Sequence, residues 1–317
     1  MTTLNDLTYR GKSMADVPLG ELRRTEPDAD IDLLHERMAE DGYLLLTSLL
    51  DRAQVLQARR TVLEKLVAQD LLDLARNDLE DGVVRDGAHV SFAPDLARDN
   101  PELDRVLYEG PMIAYYERFL GGPVRHFDYT WFRAKTPGTD TVTQPHYDIV
   151  FMGRGTTNLW TSWTPLSDVP YEMGGLVVLE GSHQIEELRN GYGATDVDRY
   201  CDRGNASEIV KAARAEVREL TAEERQTLEW QSIGHYSADA IATAGDLGGR
   251  WLTSDYKAGD LLVLSMYTMH ASSDNRTNRI RLSSDSRYQL ASDPVDERWV
   301  GDDPPLHGVR AKRATIC

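Results

Sequence analysis

Two histidines and an aspartate stand at positions that suit metal binding. His146 and Asp148 lie two residues apart in QPHYDIVFMG, and His270 follows far downstream in LLVLSMYTMHASS. If the first stretch is a strand, side chains at i and i+2 point to the same face, so His146 and Asp148 could grip one ion together. We predict that the strand ending at His270 directs this imidazole into the same interior. Tyr147 is then expected to point away from the ion.

Two imidazoles and one carboxylate on one face of a metal leave coordination positions open. Non-haem iron(II) oxygenases use this arrangement, and a 2-oxo acid and dioxygen can take the open positions. Arg281 follows His270 in RIRLSSDSRY. If the strands that carry His270 and Arg281 form a hairpin, the guanidinium lies nearby and matches the far carboxylate of a 2-oxo diacid. The set therefore predicts iron(II) and 2-oxoglutarate, with His146, Asp148, His270 and Arg281 as catalytic residues.

The same residues leave two other interpretations open. Two histidines and an aspartate also suit zinc, which would indicate a hydrolase with a general base beside the metal. A protein that keeps the metal only for structure or ligand capture would bind small molecules without releasing succinate. A second His-x-Asp pair, His126 and Asp128, has no matching third ligand and is expected to be structural.

The N-terminal part of the chain, up to residue 123, is mostly helical in pattern. Residues 1–30 are expected to be loosely structured. Gly42 ends a first helix, the run YLLLTSLL predicts a short buried strand, and Asp51 caps a second helix that runs to about Arg76. Two further short helices are predicted before Gly121 and Gly122.

From Val124 onward, alternating and aromatic segments predict strands. These segments are VRHFDYTWFRAK, TNLWTSWTPLSDV, GGLVVLEGSH, DLLVLSMYTMHASS and RIRLSSDSRYQLA. Short strands without βαβ alternation favour a mainly β fold with flanking helices, built on a double-sheet jelly roll, or double-stranded β-helix. We predict one domain over residues 1–317, with a jelly-roll core at 124–183 and 251–291. Residues 184–250, including a helix in SEIVKAARAEVRELTAEERQTLEW, are predicted to be a lid insertion.

Composition narrows the class of partner. The formal net charge of −17 disfavours nucleic acid and offers no polybasic patch for a membrane surface, while a cationic substrate remains a weaker alternative to a merely solvated acidic exterior. No apolar run is long enough to span a bilayer, and the N-terminus has no apolar signal segment. The two cysteines make no disulfide framework. We expect a cytoplasmic monomer or homodimer that acts on a small molecule.

Four segments resemble the phytanoyl-CoA dioxygenase family. EDGYLLLTSLLDRAQVLQAR is similar to its opening helix-strand-helix, FRAKTPGTDTVTQPHYD to its metal motif, WTPLSDVPYEMGGLVVLEGSH to its segment ending in Gly-Ser-His, and HASSDNRTNRIR to its second histidine and arginine. The resemblance covers about residues 38–290. It implies a jelly-roll oxygenase that uses iron(II), 2-oxoglutarate and dioxygen, with ascorbate as an activator in vitro.

The resemblance also implies roles for individual residues. His146, Asp148 and His270 match the iron ligands, and Arg281 matches the partner of the distal carboxylate of 2-oxoglutarate. Ser272 and Trp163 match positions beside the cosubstrate. Tyr129 and Lys135 lie on the strand that enters the metal motif and share its parity, so either is expected to reach the cosubstrate. Related halogenases carry Gly or Ala where Asp148 stands, so halogenation is not expected.

The sequence says less about the substrate than about the cofactors. No Lys/Arg cluster suits the phosphates of coenzyme A, so a small natural-product or amino-acid-like substrate is favoured. The expected reaction is hydroxylation of an unactivated C–H bond with release of succinate and carbon dioxide. Desaturation, epoxidation and cyclisation by the same oxidant remain alternatives.

Overall fold

A computed structural model of the chain describes residues 3–197 and 234–307, with scattered positions between 208 and 224. The described residues form two main β-sheets and a layer of helices. In this part of the chain the α-helices are α1 (Ile31–Asp41), α2 (Arg52–Ala68), α3 (Pro101–Tyr108), α4 (Gly110–Leu120), α5 (Ile149–Met152), α6 (Glu186–Asn190) and α7 (Ala240–Leu247). The strands are β1 (Thr8–Tyr9), β2 (Lys12–Ser13), β3 (Leu19–Glu21), β4 (Arg24–Thr25), β5 (Tyr43–Leu46), β6 (Val124–His126), β7 (Trp131–Lys135), β8 (Leu159–Pro165), β9 (Leu176–Leu179), β10 (Trp251–Thr253), β11 (Leu261–Ser265), β12 (His270–Ser272) and β13 (Arg281–Leu290). Each described helix is too short or too polar to cross a membrane.

The larger sheet has the order β4-β5-β11-β8-β13-β6, and β7 pairs with the first half of β13. All its pairings are antiparallel except β4 with β5. In register, Arg281 lies opposite Lys135, and Arg287 lies opposite Thr161. Residues directly opposite each other point to the same face, so these four side chains share one side of the sheet.

The smaller sheet has the order β12-β9-β10-β3, and residues 143–146 extend it at its β12 edge. The amide of Ser272 donates to the carbonyl of Thr143, while His146 and His270 exchange two backbone hydrogen bonds. The smaller sheet therefore carries both predicted histidine ligands at one edge.

Side chains of β5 and β11 point alternately to the two faces of the larger sheet. One face packs against the smaller sheet and the other against the helices. Between the sheets lie Tyr43, Leu45, Trp163, Val178, Leu252 and Leu262. The opposite face packs on the helices through Leu44, Leu46 and Val263 from the sheet and Leu34, Val55, Val62, Leu103 and Tyr116 from α1–α4. Both faces of the larger sheet are thus buried, one by helices and one by the second sheet.

This architecture confirms the predicted class, mainly β with flanking helices and a jelly-roll arrangement, although the two sheets do not close into a single barrel. The prediction that residues 1–30 are loosely structured is wrong, since β3 and β4 add edge strands to the two sheets. The second helix ends at Ala68, well before Arg76, because Asp70 adopts a left-handed φ of 61°.

Two predicted strands are each divided in the structure. VRHFDYTWFRAK forms β6 and β7, because the backbone amide of Asp128 donates to the carbonyl of Trp299 instead of continuing the pairing with β13. DLLVLSMYTMHASS forms β11 and β12, which belong to different sheets. A turn at 265–268 makes this crossing, and the Thr268 hydroxyl donates to the carbonyl of Gly42 at 2.6 Å.

The predicted insertion at 184–250 is described only at its two ends. The helix predicted within 207–230 lies largely outside the described residues. At the ends, α6 and α7 pack beside the segment that holds His146, and the amide of Tyr236 donates to the carbonyl of Pro145 at 2.9 Å. A lid function for the middle of this insertion stays a prediction.

Candidate metal centre

His146 and His270 meet because residues 143–146 run antiparallel to β12. Their backbones exchange hydrogen bonds of 3.1 and 3.2 Å, and their ring centroids lie 4.2 Å apart. Both residues are almost completely buried. Two residues separated by more than a hundred positions are therefore held side by side by the edge of one sheet.

Asp148 reaches the two histidines through a turn, so the prediction that it shares a strand face with His146 is wrong. The residue has helical backbone angles and starts α5, whose four residues are all buried. Its Oδ1 lies 3.5 Å from Nε2 of His146 and 4.0 Å from Nε2 of His270. The three ligand atoms lie within 4.8 Å of one another. In the described part of the chain, no other group of His, Cys, Asp or Glu has this arrangement.

The outer nitrogen of each imidazole is fixed by a backbone carbonyl. Nδ1 of His146 lies 2.7 Å from the carbonyl oxygen of Gln144, and Nδ1 of His270 lies 3.0 Å from that of Thr268. A carbonyl only accepts, so each Nδ1 carries a proton, and each Nε2 is left facing Asp148. Burial, followed by the neighbouring His146, lowers the pKa of His270 to about 4. The imidazole is therefore neutral near pH 7, the form that binds metals.

The second oxygen of Asp148 is held from the larger sheet. Oδ2 accepts hydrogen bonds from the Thr161 hydroxyl and from Nη2 of Arg287, the latter at 3.2 Å. Burial opposes ionisation of this carboxyl, but Arg287, followed by the two histidines, holds its pKa well below the usual range. Oδ1 thus remains directed at the histidines as a charged ligand atom. Neither Thr161 nor Arg287 was among the residues that the sequence predicted for the site.

Arg281 and Lys135 form a second cluster beside the histidines. Arg281 is fully buried, and its Nη1 donates to the hydroxyl of Ser283, while Nε and Nη2 find no partner in the described residues. Burial lowers the pKa of Arg281 to about 9, and burial together with the Arg281 charge lowers that of Lys135 well below its usual value. Nζ of Lys135 donates to Thr143 at 2.9 Å and to Ser272.

Ser272 links this basic cluster to the metal ligands, because it lies two residues after His270 on β12 and faces the same side. Trp163 is fully buried, with its ring centroid 5.7 Å from the guanidinium carbon of Arg281. The hairpin predicted between His270 and Arg281 is wrong, since their strands lie in different sheets. The two strands instead lie on sheets that pack face to face, and the bond from Lys135 to Ser272 joins these sheets beside Arg281 and His270.

Tyr129 occupies a different place from the one predicted. It lies in the connection between β6 and β7, where its ring packs on Trp131 and Trp299. It lines a cavity of about 590 Å³ together with Asp104 and Asp128, away from the strand position that was expected to carry it toward the cosubstrate. Tyr129 lies outside β7, so the alternation of side chains along that strand does not direct it toward the cosubstrate.

The residues present fit a divalent ion and a dicarboxylate. Two imidazoles and one carboxylate offer two nitrogen donors and one oxygen donor to a metal such as iron(II). Among the described residues, two buried nitrogens of Arg281 have no partner, and an uncompensated buried guanidinium is unfavourable unless an anion binds it. Lys135 and Ser272 add donors at the same place.

Comparisons with known proteins agree with this geometry. The model of the phytanoyl-CoA dioxygenase family matches residues 38–283. A 1-deoxypentalenic acid 11-beta-hydroxylase from Streptomyces exfoliatus is 24% identical over 277 residues, which cover 83% of this chain and 82% of the relative.

Two solved structures share the fold at lower identity. The epimerase SnoN, in complex with Fe³⁺, alpha ketoglutarate and nogalamycin RO, is 20% identical with a TM-score of 0.53, and the match covers 84% of this chain and 85% of that one. The alpha ketoglutarate dependent carbocyclase SnoK from nogalamycin biosynthesis is 17% identical with a TM-score of 0.53, over 89% and 92% of the two chains. The match to the family model spans most of the sequence and includes all three candidate ligands and Arg281. The chain thus belongs to the phytanoyl-CoA dioxygenase family, and with it to the 2-oxoglutarate-dependent non-haem iron oxygenases.

Proposed function

We propose that this protein hydroxylates an unactivated C–H bond of a small natural-product or amino-acid-like substrate, with conversion of 2-oxoglutarate to succinate and carbon dioxide. The observation that carries the proposal is the buried His146-Asp148-His270 group beside Arg281, a buried arginine whose Nε and Nη2 have no partner among the residues that the structure describes. A metal and a dicarboxylate together would satisfy both features.

Each residue has a distinct task in this proposal. His146, Asp148 and His270 hold iron(II), and the iron with 2-oxoglutarate and dioxygen supplies the oxidising chemistry. Arg281 binds the distal carboxylate of 2-oxoglutarate, since its planar fork matches a carboxylate in two hydrogen bonds. Lys135 and Ser272 donate further hydrogen bonds at this end of the site.

Side chains around His146 form a wall that limits access of water. Phe151 packs at 5.5 Å from the His146 ring, and His235 at 5.9 Å, both measured between ring centroids. Burial, followed by the effect of His146, lowers the pKa of His235 to about 3, so this ring is neutral near pH 7. Such a wall excludes solvent and holds the substrate close to the metal.

The relatives support an oxygenase and leave the outcome of the reaction open. One is named as a hydroxylase of an organic acid, and the two structural neighbours are named as an epimerase and a carbocyclase. Desaturation, epoxidation and cyclisation are therefore alternative outcomes for this chain, and the substrate pose would select among them. A zinc hydrolase is less well supported, because it gives no role to the unsatisfied donors of Arg281.

The test uses purified protein with iron(II), ascorbate and 2-oxoglutarate. We expect slow release of succinate without any added substrate, and no release from His146→Ala or Asp148→Ala. Arg281→Gln should raise the KM for 2-oxoglutarate by about a hundredfold or more, because a buried carboxylate loses its charged partner.

Arg125→Gln is the matched control, since Arg125 is exposed on β6. Metal-loaded wild-type protein that binds no 2-oxoglutarate would refute the proposal. Binding without succinate would indicate the non-catalytic module instead, and zinc-dependent hydrolysis without 2-oxoglutarate would indicate the hydrolase.

A further inference from the structure

The interior face of the larger sheet carries more positive than negative side chains. Its cations, on β7 and β13, are Arg133, Lys135, Arg281 and Arg287. The carboxylates that meet this face are Asp148 and Asp285. Four cations against two carboxylates leave a formal surplus of two positive charges, in a chain whose net charge is −17.

The surplus persists when the proposed cofactors are included. Iron(II) and doubly charged 2-oxoglutarate cancel each other, so together they do not change the sum. If Lys135 is neutral, or is assigned to the nearby Asp274 that also acts on its pKa, one positive charge still remains. Arg281 is assigned to 2-oxoglutarate, so the remaining charge belongs to Arg133 and Arg287.

Of these two arginines, Arg133 has the weaker internal compensation. Its single ionic contact is Nε to Asp285 at 3.4 Å, and its terminal nitrogens make no hydrogen bond within the described residues. The side chain is 22% exposed, whereas that of Asp285 is 11% exposed. Its charge also contributes to the lowered pKa values of His235, Lys135 and Arg281, so it acts on the same interior as the metal site.

Arg287 leaves donors in the same region. Its Nη2 binds Asp148, but Nε and Nη1 are buried and have no partner in the described part of the chain. Trp131 lies two residues before Arg133 on the same face of β7, and its ring centroid is 4.3 Å from the guanidinium carbon of Arg287. Phe92 lies 5.4 Å from the guanidinium carbon of Arg133. Aromatic rings thus flank both guanidinium groups.

We infer that the substrate is an apolar organic acid whose carboxylate binds Arg133, with the free donors of Arg287 beside it. A guanidinium with two unused terminal nitrogens matches a planar carboxylate, and the flanking Trp131 and Phe92 suit an apolar body. This inference rests on the proposed function, because it assigns the substrate class of the same site. It also replaces the alternative of a cationic substrate, since the external charge of the chain has the opposite sign to that of its interior face.

The experiment measures binding without turnover. Protein loaded with Ni(II) and 2-oxoglutarate is titrated calorimetrically with cyclohexanecarboxylate and decanoate, and with the matched neutral amides. We expect each acid to bind at least about tenfold more tightly than its amide, as a charge-assisted hydrogen-bonded pair predicts. Arg133→Gln should weaken acid binding by about ten- to hundredfold and leave amide binding within about twofold.

Arg133→Lys keeps the charge but not the fork and should fall between wild type and Arg133→Gln, which also guards against a variant that folds poorly. Arg125→Gln should match wild type. Equal binding of acids and amides by wild type, or no binding of either, overturns the inference. So does an Arg133→Gln variant that weakens 2-oxoglutarate more than the acids, because Arg133 would then serve the cosubstrate. Succinate release by the iron(II) protein without any acid is scored separately, so failure of the oxygenase proposal is distinguished from failure of the substrate class.

Discussion

Replacing Arg287 with methionine tests whether the larger sheet holds the metal-binding carboxylate by charge. In the metal-free protein Arg287→Met keeps much of the side-chain volume but removes the cation 3.2 Å from Oδ2 of Asp148. The side chains of the pair are only 4% and 3% exposed, so solvent screening is weak. Among the described residues, the carboxylate would then retain only the Thr161 hydroxyl on that oxygen.

The expected loss of stability is large for a single substitution. At 3.2 Å and an effective dielectric constant of about 20, the attraction between the two charges is about 5 kcal/mol before desolvation is considered. Removing one partner of a buried pair costs about 3–5 kcal/mol, because the other charge stays buried and uncompensated. We expect the free energy of unfolding of metal-free Arg287→Met to fall by about this amount.

The assay is urea denaturation of the metal-free protein as a double-mutant cycle with Asp148→Asn. The two single substitutions should each destabilise, and the double variant should lose clearly less than their sum, since it leaves no uncompensated charge. Arg125→Met, on the exposed face of β6, should change stability by less than about 0.5 kcal/mol. An additive cycle would refute the ionic role of Arg287.

The pH dependence of the stability of Arg287→Met provides an independent test of the same ion pair. In wild type the pKa of Asp148 is lowered, so its stabilising contribution is complete above the unfolded pKa of about 3.9 and is lost as the pH falls further. Without Arg287, burial dominates and the pKa of Asp148 rises. The stability difference between wild type and Arg287→Met should therefore narrow as the pH falls from 7 toward about 4. A difference that stays constant over this range would contradict the reasoning.

Three further substitutions test the surrounding structure. Thr161→Val removes a donor to Oδ2 of Asp148 and should lower Ni(II) affinity by about 10–100-fold in calorimetric titration, whereas unchanged affinity would deny Thr161 a positioning role. Leu46→Ala opens a cavity between the larger sheet and the helices and should cost about 2–5 kcal/mol of unfolding free energy in urea, whereas a loss below about 1 kcal/mol would place Leu46 outside the core. Asp51→Ala removes the side chain that accepts the Gln54 amide at the start of α2 and should cost about 1 kcal/mol by the same measurement, while Asp51→Asn should retain most of the cap.

The types and order of His146, Asp148 and His270 predicted the metal-binding group, but the strand geometry predicted for Asp148 is wrong. The run IVFM after Asp148 is apolar, and a short apolar run suits a buried helix as well as a strand. The chain forms one buried helical turn there, and the turn directs Asp148 back toward His146. Residue chemistry therefore identified a group whose backbone the local pattern did not determine.

The pairing partners of the strands were the second feature that the sequence did not predict. The segment from Leu261 to Ser272 is largely apolar and predicts one strand. Its two halves, β11 and β12, lie in different sheets. The crossing depends on contacts of the turn with distant residues, such as the bond from Thr268 to Gly42, which no local periodicity contains. By contrast Gly42 and Asp51, which end and begin helices, act through local backbone geometry and were predicted correctly.

Arg287 escaped the sequence analysis because β13 does not follow the usual pattern of a buried strand. Its alternating polar residues would ordinarily indicate a solvated face, yet nine of its ten residues are buried. Polar groups on a face covered by another sheet need partners, and here the partners are the metal ligand Asp148, the Ser283 hydroxyl and the proposed anions. A shift of one residue in register would turn Arg281, Asp285 and Arg287 together toward the helices. The pairing of β13 with β7 and β8 therefore fixes the positions of Arg281 and of Arg287, the partner of Asp148, through one strand register.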